Sequence, residues 1–273
     1  MQLIPKFKKK EGDSDSPTKP KEVKQILDEQ IDAGLKEFNR SNSGLFISAF
    51  AAGMEVGFSI LLMGTVYTLF HGDTGDNYLH FLLSMCYPLG FIFVIIGRSE
   101  LFTEHTALAI LPVLSRRVSL KRLFGLWGIV YLGNLAGGYV FSFLITYIGQ
   151  DTGAVSHEAF SHIAHEMTKH DWSTILLSAL LAGWMMGLLG WLVTSAQDTI
   201  SRILVVILIT FTIGMGGLHH CIVGSIEVFS GFLIDPHITL LDYGRFQLWA
   251  TVGNALGGAV FVAILKFSHV RLH

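Results

Sequence analysis

At 273 residues, with 51% hydrophobic and 15% charged side chains against roughly 25% charged in an ordinary soluble domain, the chain is too poor in charge for a soluble globule. Its formal net charge of -2 excludes the basic excess that nucleic-acid binding requires. Lys and Arg crowd into residues 1–40 and a few short segments, the pattern of membrane spans alternating with loops.

Residues 1–22 are polar, with Lys6, Lys8, Lys9 and Lys10 followed by Glu11, Asp13, Asp15, Pro17 and Pro20. That composition predicts a disordered tail, and it lacks the apolar core of a cleavable signal peptide. Over 23–40 the residues Val23, Ile26, Leu27, Ile31, Leu35 and Phe38 recur at helical spacing among Asp, Glu and Lys. An amphipathic helix is expected, lying along the membrane surface, capping a pore mouth or packed on other loops.

Residues 41–273 form the membrane domain. A helical pass takes roughly twenty apolar residues, and such runs occur at 44–70, 79–114, 120–148, 172–194, 203–233 and 241–267, which makes six. The second and fifth are too long for one straight pass. They are interrupted at Gly97-Arg98-Ser99-Glu100 and between Gly214 and Cys221, and are expected to be broken helices. Arg116, Arg117, Lys121, Arg122, Arg202, Lys266 and Arg271 fall on the side of the amino-terminal tail, so both termini are expected in the cytoplasm of a multi-pass inner-membrane protein. Cys86 and Cys221 lie in apolar runs and read as small core residues.

The third run contains Gly133-Asn134-Leu135-Ala136-Gly137-Gly138 and the sixth Gly253-Asn254-Ala255-Leu256-Gly257-Gly258. The first and fourth match at Ser48-Ala49, Ala52-Gly53 and Gly57 against Ser178-Ala179, Ala182-Gly183 and Gly187. Three passes per half place the halves in opposite orientations, an inverted 3+3 repeat. The expected fold is therefore an all-α membrane protein of six transmembrane helices, with helices 2 and 5 broken.

A helix that stops inside hydrocarbon leaves backbone groups that protein or water must satisfy, so such breaks usually face a cavity. Both breaks are polar: Arg98, Ser99, Glu100, Thr103, Glu104 and His105 at one, His219, His220, Ser225 and Glu227 at the other. Ionisable groups at this depth are functional candidates. A half-helix amino terminus favours an anion, and histidine titrates near neutral pH. Glu55 in the first run reads as a proton relay, a contact between subunits or, ahead of these, an ion-pair partner of Arg98. Glu227 is a relay or ion-pair candidate without an assigned partner.

Over residues 44–267, Glu100-Leu101-Phe102-Thr103 and Gly217-Leu218-His219-His220, together with the two Gly-Asn repeats, resemble the formate/nitrite transporter family. That resemblance implies an aquaporin-like protomer, one pore per subunit and a homopentamer. It implies that His220 is the central pore histidine, that Thr103 hydrogen-bonds it, and that Leu101 and Phe102 form a constriction. The chain departs from the family pattern at His219, where an acid is usual, and at Gly183, where a pore asparagine is usual. Glu104-His105 likewise replaces a small residue and an asparagine. At the outer mouth Met167 takes the place of a lysine, with Lys169 two residues on.

The expected substrate is a small monovalent weak acid or its anion, carried with proton linkage and without a cofactor. A water- or glycerol-like channel ranks below it, since paired Asn-Pro-Ala motifs are missing. His157, His162, His165 and His170, with Glu158, Glu166 and Asp171, raise metal-ion binding as an alternative, although their spacing fits no closed site and no metal is expected. No enzyme is expected either: His-Glu-x-x-His and Gly-x-Ser-x-Gly are absent.

Overall fold

The computed structural model describes residues 19–272. The tail expected over 1–22 lies, up to residue 18, outside the described residues. From there the chain is helical almost throughout, and among the described residues the one departure toward β-structure is an isolated bridge between His71 and Thr74. The elements in order are α1 (Val23–Glu37), α2 (Asn42–Phe70), α3 (Asp76–Cys86), α4 (Pro88–Gly97), α5 (Phe102–Leu108), α6 (Ile110–Leu114), α7 (Leu120–Thr152), α8 (His157–Thr168), α9 (Trp172–Ser195), α10 (Thr199–Met215), α11 (Val223–Ile234) and α12 (Leu240–Leu256). A π-helical stretch (Gly257–Ile264) then leads into α13 (Leu265–Leu272).

Among the described residues five helical segments are long and apolar enough to cross a membrane: Asn42–Phe70, Asp76–Gly97, Leu120–Thr152, Trp172–Ser195 and Leu240–Val270. Phe102–Leu114, Thr199–Met215 and Val223–Ile234 are apolar but shorter. Large apolar side chains such as Leu132, Phe143, Tyr147, Leu177 and Leu208 are exposed on the outside of the protomer. In a bilayer that surface faces lipid or another subunit and carries no hydration cost.

Apolar burial gives little drive for helices to associate inside lipid, where close van der Waals contact and hydrogen bonds take its place. The sequence supplies that contact through glycine. A Cβ on Gly53 would lie 2.1 Å from the Asn134 carbonyl oxygen, and one on Gly183 would lie 2.2 Å from that of Asn254. These contacts join α2 to α7 and α9 to α12, the two most extensive helix pairings in the molecule.

α1 spends its apolar face on the protein's own core. Ile26, Leu27 and Ile31 are buried in a cluster with Leu111, Trp191 and Ala263, and Arg40, just past α1, bridges Glu37 and Glu100. The segment after α7 is the main departure from the expected fold, because residues read as loop form α8. Ser156 caps it by accepting the Ala159 N–H at 3.1 Å, and Ala159, Phe160, Ile163 and Ala164 are buried at helical spacing.

Candidate site at two helix interruptions

α4 stops at Arg98, which takes the left-handed conformation (φ 60°) and donates its N–H to the Val94 carbonyl. Residues 98–101 are not helical, and α5 starts at Phe102. The second interruption covers 216–222, with Gly217 left-handed (φ 58°), and α11 starts at Val223. Each leaves main-chain groups that must be paired.

Two asparagines pair them in the same way. Asn134 Nδ2 donates to the Ala49 and Glu100 carbonyls at 2.7 and 2.8 Å, and its Oδ1 accepts the Phe102 N–H at 2.8 Å. Asn254 Nδ2 donates to the Ala179 and His219 carbonyls at 2.7 and 3.0 Å, and its Oδ1 accepts the Cys221 N–H at 2.8 Å. One carboxamide thus holds each non-helical turn to the helix beside it. The hydroxyls repeat too: Thr106 Oγ1 donates to the Thr103 carbonyl, and Ser225 Oγ to that of Ile222, both at 2.7 Å.

Between the turns, His220 and Thr103 meet. Both are buried, and Thr103 Oγ1 lies 2.8 Å from His220 Nε2. The Val223 N–H donates to His220 Nδ1 at 3.2 Å, so in the neutral ring the proton sits on Nε2 and points at the threonine oxygen. Phe91 meets the imidazole edge-on with ring centroids 5.2 Å apart, and Tyr87 packs on Phe91 at 5.4 Å. His219, beside it, meets Ser178 Oγ through both its N–H (3.1 Å) and Nδ1 (2.8 Å), and its Nε2 is buried without a hydrogen-bond partner.

A cavity of about 390 Å³ opens on the α8 side of this pair. Tyr87, Leu218 and Glu227 line it together with His80, His162 and Met167. Burial pushes the His162 imidazole below its usual range, with Glu166 opposing. At the other turn the buried Glu100 is bridged to Arg40 and lies 2.9 Å from His105 Nε2. Burial disfavours the Arg40 charge, but the Glu37 and Glu100 carboxylates outweigh it and raise the guanidinium above its ordinary range. Among the described residues Glu37, Glu100 and His105 are the side chains grouped closely enough to share a metal ion, and Arg40 already bridges both carboxylates.

Residues 24–268 match the family model for the formate/nitrite transporter. The chain belongs to the formate/nitrite transporter family. The inner membrane protein YfdC of Escherichia coli (strain K12) is 31% identical over 245 residues, covering 87% of this chain and 76% of YfdC. A solved FNT family ion channel superposes with a TM-score of 0.81 at 22% identity, covering 90% of this chain and 99% of its own. A solved pentameric formate channel with formate bound superposes at 0.72 and 23% identity, covering 85% and 98%. The chain is thus a multi-pass membrane protein with the fold of this family.

Of the residues singled out in the sequence, His220, Thr103, Leu101, Phe102, His219 and Glu100 are buried at or beside the two turns. Phe102 packs edge-on against Trp127 and Tyr131. The expected Glu55–Arg98 ion pair does not form in the protomer. Gly97 is the residue that faces Glu55, 3.9 Å from Oε1 to a Cβ built on it, whereas Arg98 is one residue further round and leaves the helix in a left-handed turn. One Glu55 oxygen stays buried without a partner, and Arg98 is exposed. Lys169 is half-exposed and pairs with Glu166 at 2.5 Å, while Met167 lines the cavity of this formate/nitrite transporter homologue.

The loop histidines part company. His162 packs on Tyr67, His165 is 3.1 Å from Asp235, and His170 meets His219 edge-on with ring centroids 5.8 Å apart. Sequence reasoning missed Tyr87, Phe91 and Leu218, apolar residues in apolar runs, and the bonding role of Asn134 and Asn254, for which the repeated Gly-Asn was the available signal.

Proposed function

We propose that the chain is a proton-linked channel for small monovalent weak acids or their anions, of the formate and nitrite type. The observation that carries this reading is the buried Thr103–His220 hydrogen bond (2.8 Å) between two helix interruptions, with a cavity on one side. In the proposed architecture, six passes form an inverted 3+3 repeat with an aquaporin-like protomer, and passes 2 and 5 are interrupted at 98–101 and 216–222. The matched bonding of Asn134 and Asn254 supports the repeat. Solute crosses a pore in each subunit of a homopentamer, as the pentameric formate channel suggests. Both termini face the cytoplasm, α8 lies outside, and α1 caps the inner mouth of a membrane domain spanning 41–273.

A bare anion at the ring of Phe91, Leu101 and Phe102 forfeits several kcal/mol of hydration, and its conjugate acid forfeits much less. The acid is therefore the form that crosses. His220 presents one N–H, on Nε2, with Thr103 as its resting partner, and a solute oxygen exchanges for that hydroxyl as it passes. His219, Glu100 and Arg98 shape the approaches on either side. Transport, not catalysis, is the work such an arrangement supports.

The test is flux of formate and nitrite into proteoliposomes across a range of external pH, with His220→Phe as control. Uptake that rises with external acidity and collapses in the variant is expected. Uptake independent of pH, or full activity in His220→Phe, contradicts the reading; pH-independent passage of glycerol or water would favour a neutral-solute channel instead.

A further inference from the structure

Glu227 is a buried carboxylic acid without a task in the cycle just described. It lies in the second turn of α11, 3% exposed, and has no hydrogen-bond or ion-pair partner among the described residues. It is not sealed in the core, because it lines the 390 Å³ cavity together with Tyr87 and Leu218.

Its place along the path follows from the helix. Val223, whose N–H meets His220 Nδ1 at 3.2 Å, precedes Glu227 by one turn, a rise of about 6 Å. Phe91 packs on His220 and on Tyr87, and Tyr87 lines the cavity together with Glu227. A solute coming from the cavity therefore reaches Glu227 before the aromatic ring and the histidine.

The charges around it are unusual for an anion path. The other titratable groups lining the cavity are His71, Asp76 and His80, then Tyr87, then His162 and Glu166 from α8. Among the described residues α2 and α10 bring Met63, Ile213 and Gly214, and none comes from α7 or α12. Among the described residues no lysine or arginine lines the cavity. The cation beside this wall, Lys169, is paired to Glu166 at 2.5 Å, and an anion that goes further has to lose its own charge.

We propose that Glu227 protonates the incoming anion before it meets Phe91 and His220. The inference rests on the weak-acid reading above. The carboxyl O–H bond of Glu227 breaks as an O–H bond forms on the anion, leaving a neutral acid and a Glu227 carboxylate. Solvent water returns the proton through the cavity, which Glu227 lines. The step consumes one proton per solute and needs no other reactant.

Formate uptake into proteoliposomes, measured across external pH 5 to 8 for the wild type, Glu227→Gln and Glu227→Asp, tests it. Glutamine keeps the size and polarity of the side chain and removes the proton. Its uptake is expected to follow only the acid already protonated in solution, falling about tenfold per pH unit, and to lie at least tenfold below the wild type near pH 7. Glu227→Asp, which keeps the acid, is expected to keep the wild-type profile at a lower rate. A Glu227→Gln profile parallel to that of the wild type overturns the proposal and leaves the weak-acid reading standing. A wild type that carries no weak acid at any pH overturns both.

A second measurement does not depend on a variant folding. An apolar carbodiimide, which attacks protonated carboxyl groups, is expected to modify Glu227 of the intact wild-type protein, located by peptide mass, and formate is expected to slow the reaction. No modification at Glu227 overturns the proposal.

Discussion

Thr103 and His220, 117 residues apart in the chain, meet at 2.8 Å through Oγ1 and Nε2, each held by a different helix interruption. Because the Val223 N–H occupies Nδ1, Nε2 is the only ring nitrogen free to serve a solute. Thr103→Val keeps the shape and removes the acceptor, leaving a buried N–H without a partner at a cost of about 1–3 kcal/mol. Formate uptake in proteoliposomes is expected to fall about tenfold or more, and Thr103→Ser to keep most of it. Equal rates for valine and threonine would show that the hydroxyl plays no part.

Gly53 and Gly183 test whether the two halves are built on the same contacts. An alanine Cβ at either would sit 2.1 or 2.2 Å from a main-chain carbonyl oxygen, of Asn134 or of Asn254, and a backbone atom cannot rotate away. The helices must part, which loosens the asparagine that pairs the adjacent turn. Each alanine variant is expected to lose about 3 kcal/mol, read as a lowered midpoint of thermal unfolding in detergent, with similar losses at the two sites. Gly128→Ala on α7, with no heavy atom within 4 Å of its Cβ, is the control and is expected to be neutral or slightly stabilising. Stable Gly53→Ala and Gly183→Ala variants would contradict the close packing.

The same contacts explain what could be read in advance. Backbone approach at Gly53 and Gly183 and three bonds per asparagine admit almost no other residue, so the Gly-Asn patterns were visible in the sequence. His220 and Thr103 stood out because polar residues beside a break are rare in an apolar run. Glu100 was visible as a buried charge, but its partner Arg40 was not, since a contact between distant segments leaves no periodic trace. In α8 the histidines and acids gave the look of a loop and hid the spacing of Ala159, Phe160, Ile163 and Ala164. Tyr87, Phe91 and Leu218 were hidden for the opposite reason, because hydropathy is blind to whether an apolar residue faces lipid, core or cavity.

Lys169 was expected at the outer mouth, but it ends α8 with its side chain 49% exposed and paired to Glu166, three residues back. Exposed pairs of this kind contribute about 0–1 kcal/mol, and the cavity wall is formed by Met167 and not by the lysine. Lys169→Ala is expected to change formate uptake by less than about twofold at physiological salt, where surface charge is screened beyond about 8 Å. A tenfold loss would place the ammonium in the solute path.

Asp235, where α11 ends, fastens α8 to the membrane helices. Ser161 Oγ donates to its carboxylate, the His237 N–H donates at 2.8 Å, and His165 Nε2 lies 3.1 Å away. The serine hydroxyl foremost, then the His237 N–H, hold the Asp235 carboxyl below its ordinary range, with burial opposing. A carboxyl depressed in the folded state contributes stability that is fully present above its unfolded value, about 3.9, and is lost as pH falls through the lower folded value. The contribution of the Asp235 carboxylate is therefore expected to persist down to about pH 4 and to weaken only below it. Asp235→Asn is expected to speed hydrogen exchange in α8 at pH 7, with the gap between variant and wild type closing as thermal midpoints are followed down to about pH 3. A gap that stays the same across that range would mean that Asp235 acts through its shape and not through its charge.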